Sequence, residues 1–182
     1  MRSKLKEYLD IEISGLGVKK GLPRLIYFLK KMRYDPSSNA IFMLRFCDMY
    51  QMDGGLKKFL CMHYRRLLIN RYGIFFNLNH NSHRGKGLFL PHPSSIVFGA
   101  GVNIGENCVV YQNVTFGAKK KGFGKEEGSY PQVGNNCVFY AGATIIGPIQ
   151  VGDGTQVGAN SVLICDTEKS SIYAGVPAVR KR

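Results

Sequence analysis

The sequence predicts a mainly β chain, a parallel β-helix preceded by a small α-helical region, and three observations carry that reading. Large apolar residues recur every six positions in the second half: Phe98, Ile104, Val110 and Phe116, then Val133, Phe139, Ile145, Val151, Val157 and Leu163. A companion row of small or apolar residues keeps the same step, through Leu90, Ile96, Val102, Cys108 and Val114 and again through Cys137, Ala143, Ile149, Thr155 and Ser161. The 22 glycines crowd into this half, and Gly99, Gly105, Gly117, Gly134, Gly152 and Gly158 directly follow a large residue. A helix repeats near about 3.6 residues and a lone strand near about 2, so neither explains a step of six. Short strands joined by tight turns do, each strand sending its large residue into one shared interior. The two blocks are out of phase by one residue, and between them lies AKKKGFGKEEGSYPQ, residues 118–132. Polar, charged and glycine-rich, it reads as a loop thrown out of the wall, the kind of segment that carries function on a rigid scaffold.

The first half obeys a helical period, which divides the chain into a region 1–75, for assembly or membrane-surface contact, and a β-helix domain 76–182 with a C-terminal tail. Ser37 or Ser38 is placed to cap a helix through Ile41, Leu44 and Cys47. Gly54 and Gly55 interrupt it, and Leu56, Phe59, Leu60, His63 and Leu67 then fall on one face of a second helix. Gly73 is its expected stop. Segment 19–33 sets a short apolar core between basic ends, suited to a membrane surface or to packing against a neighbouring helix or subunit, with Pro23 limiting its length.

Lys and Arg number 25 against 12 Asp and Glu, a formal charge of +13. Such a balance attracts polyanions: nucleic acid, an anionic membrane or a phosphate-rich cofactor. Neither zinc-finger spacing nor an aromatic RNA-binding signature occurs, so nucleic acid is not an expected partner. The five cysteines, Cys47, Cys61, Cys108, Cys137 and Cys165, include no CxxC pair, which argues for reduced thiols rather than a disulfide framework or a zinc site. Met1 to Gly15 lacks the apolar stretch of a signal peptide. The clean apolar runs, Leu25 to Leu29 and Ala40 to Leu44, fall far short of the roughly 20 residues of a membrane span. The expectation is a cytoplasmic chain, with the inner face of the membrane as a possible station.

GKGLFLPHPSSIVFGAGVNIGENCVVYQNVTFG (85–117), VGNNCVFYAGATIIGPIQVGDGTQVGANSVL (133–163) and AGVPAVRKR (174–182) resemble the hexapeptide-repeat acyltransferases. Within them the resemblance is to the serine acetyltransferase branch, which also includes acetyltransferases encoded with bacterial surface-polysaccharide genes. It spans residues from roughly 75 to the end. It implies a homotrimer of left-handed parallel β-helices, alone or as a dimer of trimers, although parallel crossovers are ordinarily right-handed. It further implies active sites between adjacent subunits, with acetyl-CoA along the groove between two helices and no metal.

Direct attack of a hydroxyl on a thioester needs a base to take its proton. His92 stands on the six-residue row one step before Phe98, where an aliphatic residue belongs, and matches the family's catalytic His by position. His63 falls on the apolar helix face and reads as structural, while His80 and His83, at the entry to the coil, are candidates to line the acceptor site. No His follows residue 92, which sets aside the three-His zinc anhydrases of this fold. The family orients its His with an Asp that corresponds here to Asn77, so the orienting group is either this amide or a carboxylate from elsewhere. The Asp before the family's His is Pro91, and the Arg-His pair that grips the serine carboxylate is Ser129-Tyr130. Without that clamp a sugar hydroxyl of a surface polysaccharide or its precursor is the expected acceptor, with Tyr130 suited to a sugar face. Serine itself, and a non-catalytic scaffold, are the alternatives. Backbone N–H groups near Thr115 to Gly117 are candidates to oppose oxyanion charge. For acetyl-CoA, the small residues Gly117, Ala141, Gly142, Gly158 and Ala159 allow close approach of the pantetheine arm, and Arg180, Lys181 or Lys119 to Lys121 can meet the phosphates.

Overall fold

A computed structural model of the chain describes residues 30–31, 33–50, 54–77, 82–119 and 129–181. Most of segment 19–33, His80 and loop residues 120–128 lie outside the described residues. Among the described residues the helices α1 (Pro36–Tyr50) and α2 (Gly55–Tyr72) precede the strands. Short strands then wind around a three-sided prism. Face 1 stacks β1 (Phe75–Phe76), β3 (Val97–Phe98), β6 (Thr115–Gly117), β9 (Thr144–Ile146) and β12 (Val162–Leu163). Face 2 stacks β2 (His83–Arg84), β4 (Asn103–Ile104), β7 (Gln132–Val133) and β10 (Gln150–Val151). Face 3 stacks β5 (Val109–Val110), β8 (Val138–Phe139), β11 (Gln156–Val157) and β13 (Ile172–Gly175), and β14 (Ala178–Arg180) closes it as an antiparallel hairpin arm. All other strand pairs are parallel, as a coil requires.

Every residue of the two predicted rows is buried. Phe98 and Phe116 stack nearly parallel at 5.7 Å, and Phe139 meets Phe116 edge-on at 4.9 Å, so the coils interlock through their large side chains. Val97 to Thr115 and Thr144 to Val162 are each 18 residues apart, whereas Thr115 and Thr144, also paired, are 29 apart. Eleven extra residues therefore leave the wall between faces 1 and 2 without breaking the stack, which accounts for the phase slip. The turns between faces 2 and 3 need left-handed backbone, supplied by Gly87 (φ 69), Asn107 (φ 56), Asn136 (φ 58) and Gly154 (φ 71). Gly87 has a second reason: a Cβ there would lie 2.2 Å from Asn107 Oδ1.

The helices depart from expectation in two ways. The cap of α1 is Asp35, whose carboxylate accepts the Ser37 and Ser38 N–H groups at 3.2 Å, with Pro36 suited to the first helical position. On α2 the expected apolar stripe is split: Leu56 is 72% and Phe59 66% exposed, and His63 is exposed rather than structural, while Leu67 packs part-buried against the core. Cys61, Leu68 and Tyr72 are the buried side chains. Cys61 is small enough to let α1 come close, with the Cys47 thiol donating to Cys61 O at 3.4 Å and Tyr64 meeting Phe42 and Phe46 edge-on. Burial pushes the Cys47 thiol up, so it stays protonated. Gly73 ends α2 as expected, in the left-handed region at φ 62. The five cysteines are free, and only Cys165 is exposed. Among the described residues no helix is long and apolar enough to cross a membrane.

The base of the prism is closed by charge. Arg84 pairs in register with Ile104, an interior position, and its guanidinium lies 5.3 Å from the Phe76 ring and 5.7 Å from Phe98. Asp48 of α1 forms an ion pair with it, and the Arg45 guanidinium donates to the Arg84 and Gly85 carbonyls. Asp48→Ala strands a buried guanidinium and is expected to cost about 3–5 kcal/mol. Urea unfolding would show this, and Asp48→Ala combined with Arg84→Met is expected to recover most of the loss.

Candidate active site

Three edges join the faces, and His92 lies on the one between faces 3 and 1. Phe89 bridges Val109 while Val97 pairs with Thr115. The lower turn therefore spends eight residues, 89 to 97, where the turn above spends six, 109 to 115. The two extra residues bulge outward over Pro91–Ser95 and carry His92 with them, exposed. This corrects the expected placement: the interior residue below Val110 is Leu90, 0% exposed, and His92 does not interrupt an aliphatic row but rides outside it. Prolines on both sides fix φ and stiffen the bulge. Its end is tied to the helical half, since the Ser95 N–H donates to Tyr72 O at 2.8 Å.

Above His92 the edge carries an aromatic column. The imidazole lies 6.2 Å from the Tyr111 ring, and Tyr111 stacks on Tyr140 at 5.5 Å and 22°. The Tyr140 hydroxyl reaches Gln156 Oε1 at 3.4 Å. Next to Tyr111, Gln112 Oε1 is buried with no donor among the described residues, an orphan acceptor that calls for a partner. Sequence reasoning missed Tyr111, Tyr140 and Gln112. A signal was present: Tyr111 and Tyr140 follow Val110 and Phe139 at a position where glycine follows six other large residues.

The structure brings part of the predicted set to this edge. Ala141, Gly142, Gly158 and Ala159 lie along it, in the turns that follow β8 and β11. Gly142 has a structural explanation as well, at φ 72 with Asn160 Oδ1 2.2 Å from where its Cβ would be. At Gly158 a Cβ would meet the Ala174 methyl at 3.1 Å. Gly117 instead ends β6 towards the edge between faces 1 and 2. Arg180 lies on β14 and pairs with Glu168 at 2.7 Å, so Lys181 is the cation beside it with no ion pair among the described residues. The Thr115 N–H is spent on Ala143 O at 3.0 Å and is not an available oxyanion donor.

The remaining residues lie elsewhere. Asn77 follows β1 at the edge between faces 1 and 2, exposed, and no hydrogen bond among the described residues joins it to His92. Tyr130 lies on that same edge with its ring laid over the turn 99–101. A Cβ would come within 2.5 Å of the ring at Gly99 and 2.6 Å at Gly101, so one ring face is used by the protein and is closed to a sugar. His83 is exposed on face 2, its N–H donating to Asn103 Oδ1 at 2.8 Å. Gly101→Ala is therefore expected to cost about 1–3 kcal/mol through its clash with Tyr130. Thermal unfolding should show less than half of that cost in a Tyr130→Ala background.

Residues 130–165 match the family model of the bacterial transferase hexapeptide, six repeats. The chain is similar to the serine acetyltransferase of Synechococcus elongatus, 37% identical over 93 residues, 51% of this chain and 37% of that one. It is similar also to the serine acetyltransferase of Helicobacter pylori, 38% identical over 94 residues, 52% of this chain and 53% of that one. The chain thus spans about half or less of the length of these curated relatives. Among solved structures, Neisseria gonorrhoeae serine acetyltransferase in complex with serine superposes with a TM-score of 0.77 at 22% identity, over 99% of this chain and 70% of that one. The Vibrio cholerae serine acetyltransferase gives 0.77 at 22%, over 98% and 66%. The handedness implied by the resemblance follows from this likeness: the chain has the left-handed hexapeptide-repeat β-helix fold.

Proposed function

We propose that the chain is an acetyl-CoA-dependent O-acetyltransferase with His92 as its general base. One observation carries the reading: an exposed imidazole on a proline-flanked bulge, at the foot of an edge lined by aromatic and small residues. A scaffold has no need of that bulge. Acetyl-CoA supplies the activated acetyl thioester when bound. The edge suits it, because Gln112 Oε1 offers a buried acceptor for an amide N–H, and Ala141 and Ala159 leave the backbone open to a slender chain. Lys181 meets phosphate more readily than Arg180, which already faces Glu168. His92 takes the proton of the acceptor hydroxyl at an imidazole nitrogen, and Tyr111 limits the tilt of that ring.

Two further features support a site shared between subunits of a trimer. His92 lies on one edge, whereas Asn77 and Tyr130 lie on another, with face 1 between them. A single prism cannot join these groups, while the edges of two adjacent prisms can. The outward positions agree: face 2 shows only His83, Asn103, Gln132 and Gln150, whereas face 1 shows Phe75, Val97 and Val162 with Thr115 and Thr144, and face 3 shows Phe89, Val109, Val138 and Ile172 with Gln156. The two more apolar faces flank the His92 edge, where a neighbour would cover them.

For the acceptor, the comparisons favour L-serine, since the similar proteins are serine acetyltransferases and one was solved with serine. They give no support to the expected saccharide. That second reading rests on one observation, the absence of a cationic clamp at Ser129-Tyr130. A reaction drawing on acetyl-CoA is placed in the cytoplasm. Thiol release from acetyl-CoA, measured with L-serine and with a panel of saccharides, decides between the acceptors, and turnover with neither leaves the scaffold. His92→Ala is expected to lower turnover by about 10²–10⁴-fold while the oligomer mass stays unchanged. Equal turnover would remove His92 from the role of base.

A further inference from the structure

We infer that the outward face of α2 docks on an anionic membrane surface. The face shows Leu56 at 72%, Phe59 at 66% and Met62 at 59% exposure, opposite the buried Cys61, Leu68 and Tyr72. Lys58 and Arg66 are exposed beside them, with no ion pair among the described residues. Over its 18 residues α2 carries Lys57, Lys58, Arg65, Arg66 and Arg71 and no carboxylate. Nor does α1 lend one: Asp48 is engaged with Arg84, while Asp35 caps α1 and lies 3.9 Å from Lys31. A helix with exposed Leu, Phe and Met between cations matches an interfacial segment, whose apolar side chains enter the headgroup boundary while the cations meet lipid phosphates.

Charge selects this occupant over a second copy of the chain. Two such faces brought together would oppose cation to cation with no carboxylate on either α2 and none beside it among the described residues, in a chain of net charge +13. An anionic bilayer supplies the missing charge and the apolar depth together. This inference does not rest on the proposed activity, and it concerns a different surface from segment 19–33.

Co-sedimentation of the full chain with phosphatidylglycerol–phosphatidylcholine vesicles, and with phosphatidylcholine alone, tests it. Two variants accompany the wild type: Leu56→Ser/Phe59→Ser/Met62→Ser and Lys58→Glu/Arg66→Glu, each checked by circular dichroism and light scattering. The expected result is sedimentation with the anionic vesicles only, weakened by salt, and a loss of at least about tenfold in partitioning for each variant at unchanged oligomer mass. No sedimentation of the wild type overturns the inference. So does undiminished sedimentation of both variants, which would put the contact elsewhere in the chain. A fall in oligomer mass in the variants also overturns it, since the face would then be covered by another copy.

Discussion

A prism of stacked coils has an open base, and the ion pair of Arg84 with Asp48 closes it. The guanidinium enters the interior where an aliphatic residue stands in each coil above, with Phe76 and Phe98 near its plane. Its charge is tolerable there only because α1 brings a carboxylate, and α1 is held in turn by Arg45 on the Arg84 and Gly85 carbonyls. The helical half is thus joined to the coil by polar contacts that fix one arrangement, where an apolar seam could slide. The same junction reaches the candidate site, because Tyr72 at the end of α2 accepts the Ser95 N–H and so anchors the bulge that carries His92.

Function on this fold is a matter of edges. The faces are consumed by strand pairing outside and by row residues inside, which leaves turns as the places where a side chain can project without cost to the stack. Two of the three edges use that freedom. Eleven added residues leave the edge between faces 1 and 2, and two added residues form the His92 bulge between faces 3 and 1. The second is small and proline-bound, which suits a group that must hold its position. The first is large and returns through Tyr130, whose ring seals the turn at Gly99 and Gly101. In the proposed reading, the His92 edge of one prism and the loop-bearing edge of a neighbour together form the site.

The interior was legible in the sequence because burial in a coil repeats with the chain: Phe98, Phe116, Ile145 and Leu163 stack on one face as their spacing implied. Properties set by distant partners were not legible. Leu56 and Phe59 have helical spacing, yet α1 and the coil meet α2 on its other side, at Cys61 and Leu68. Arg84 drew no reading from its sequence, because nothing local announces that Asp48 lies opposite. The six-residue count carried His92 into the row by ignoring the bulge, although two flanking prolines mark a departure from strand geometry. Tyr111 and Tyr140 were readable as aromatic residues at a position where glycine follows six of the ten large row residues. Tyr130 needed the structure, since only there do two glycines appear beneath its ring.

In the proposed reaction the acetyl donor and the base meet along the edge between faces 3 and 1. Hydrogen–deuterium exchange of the full chain, with and without coenzyme A, tests it most directly. Added protection is expected to concentrate at the turns 91–95, 111–114, 140–143 and 158–161. Protection confined to face 2, or none at saturating coenzyme A, would contradict it.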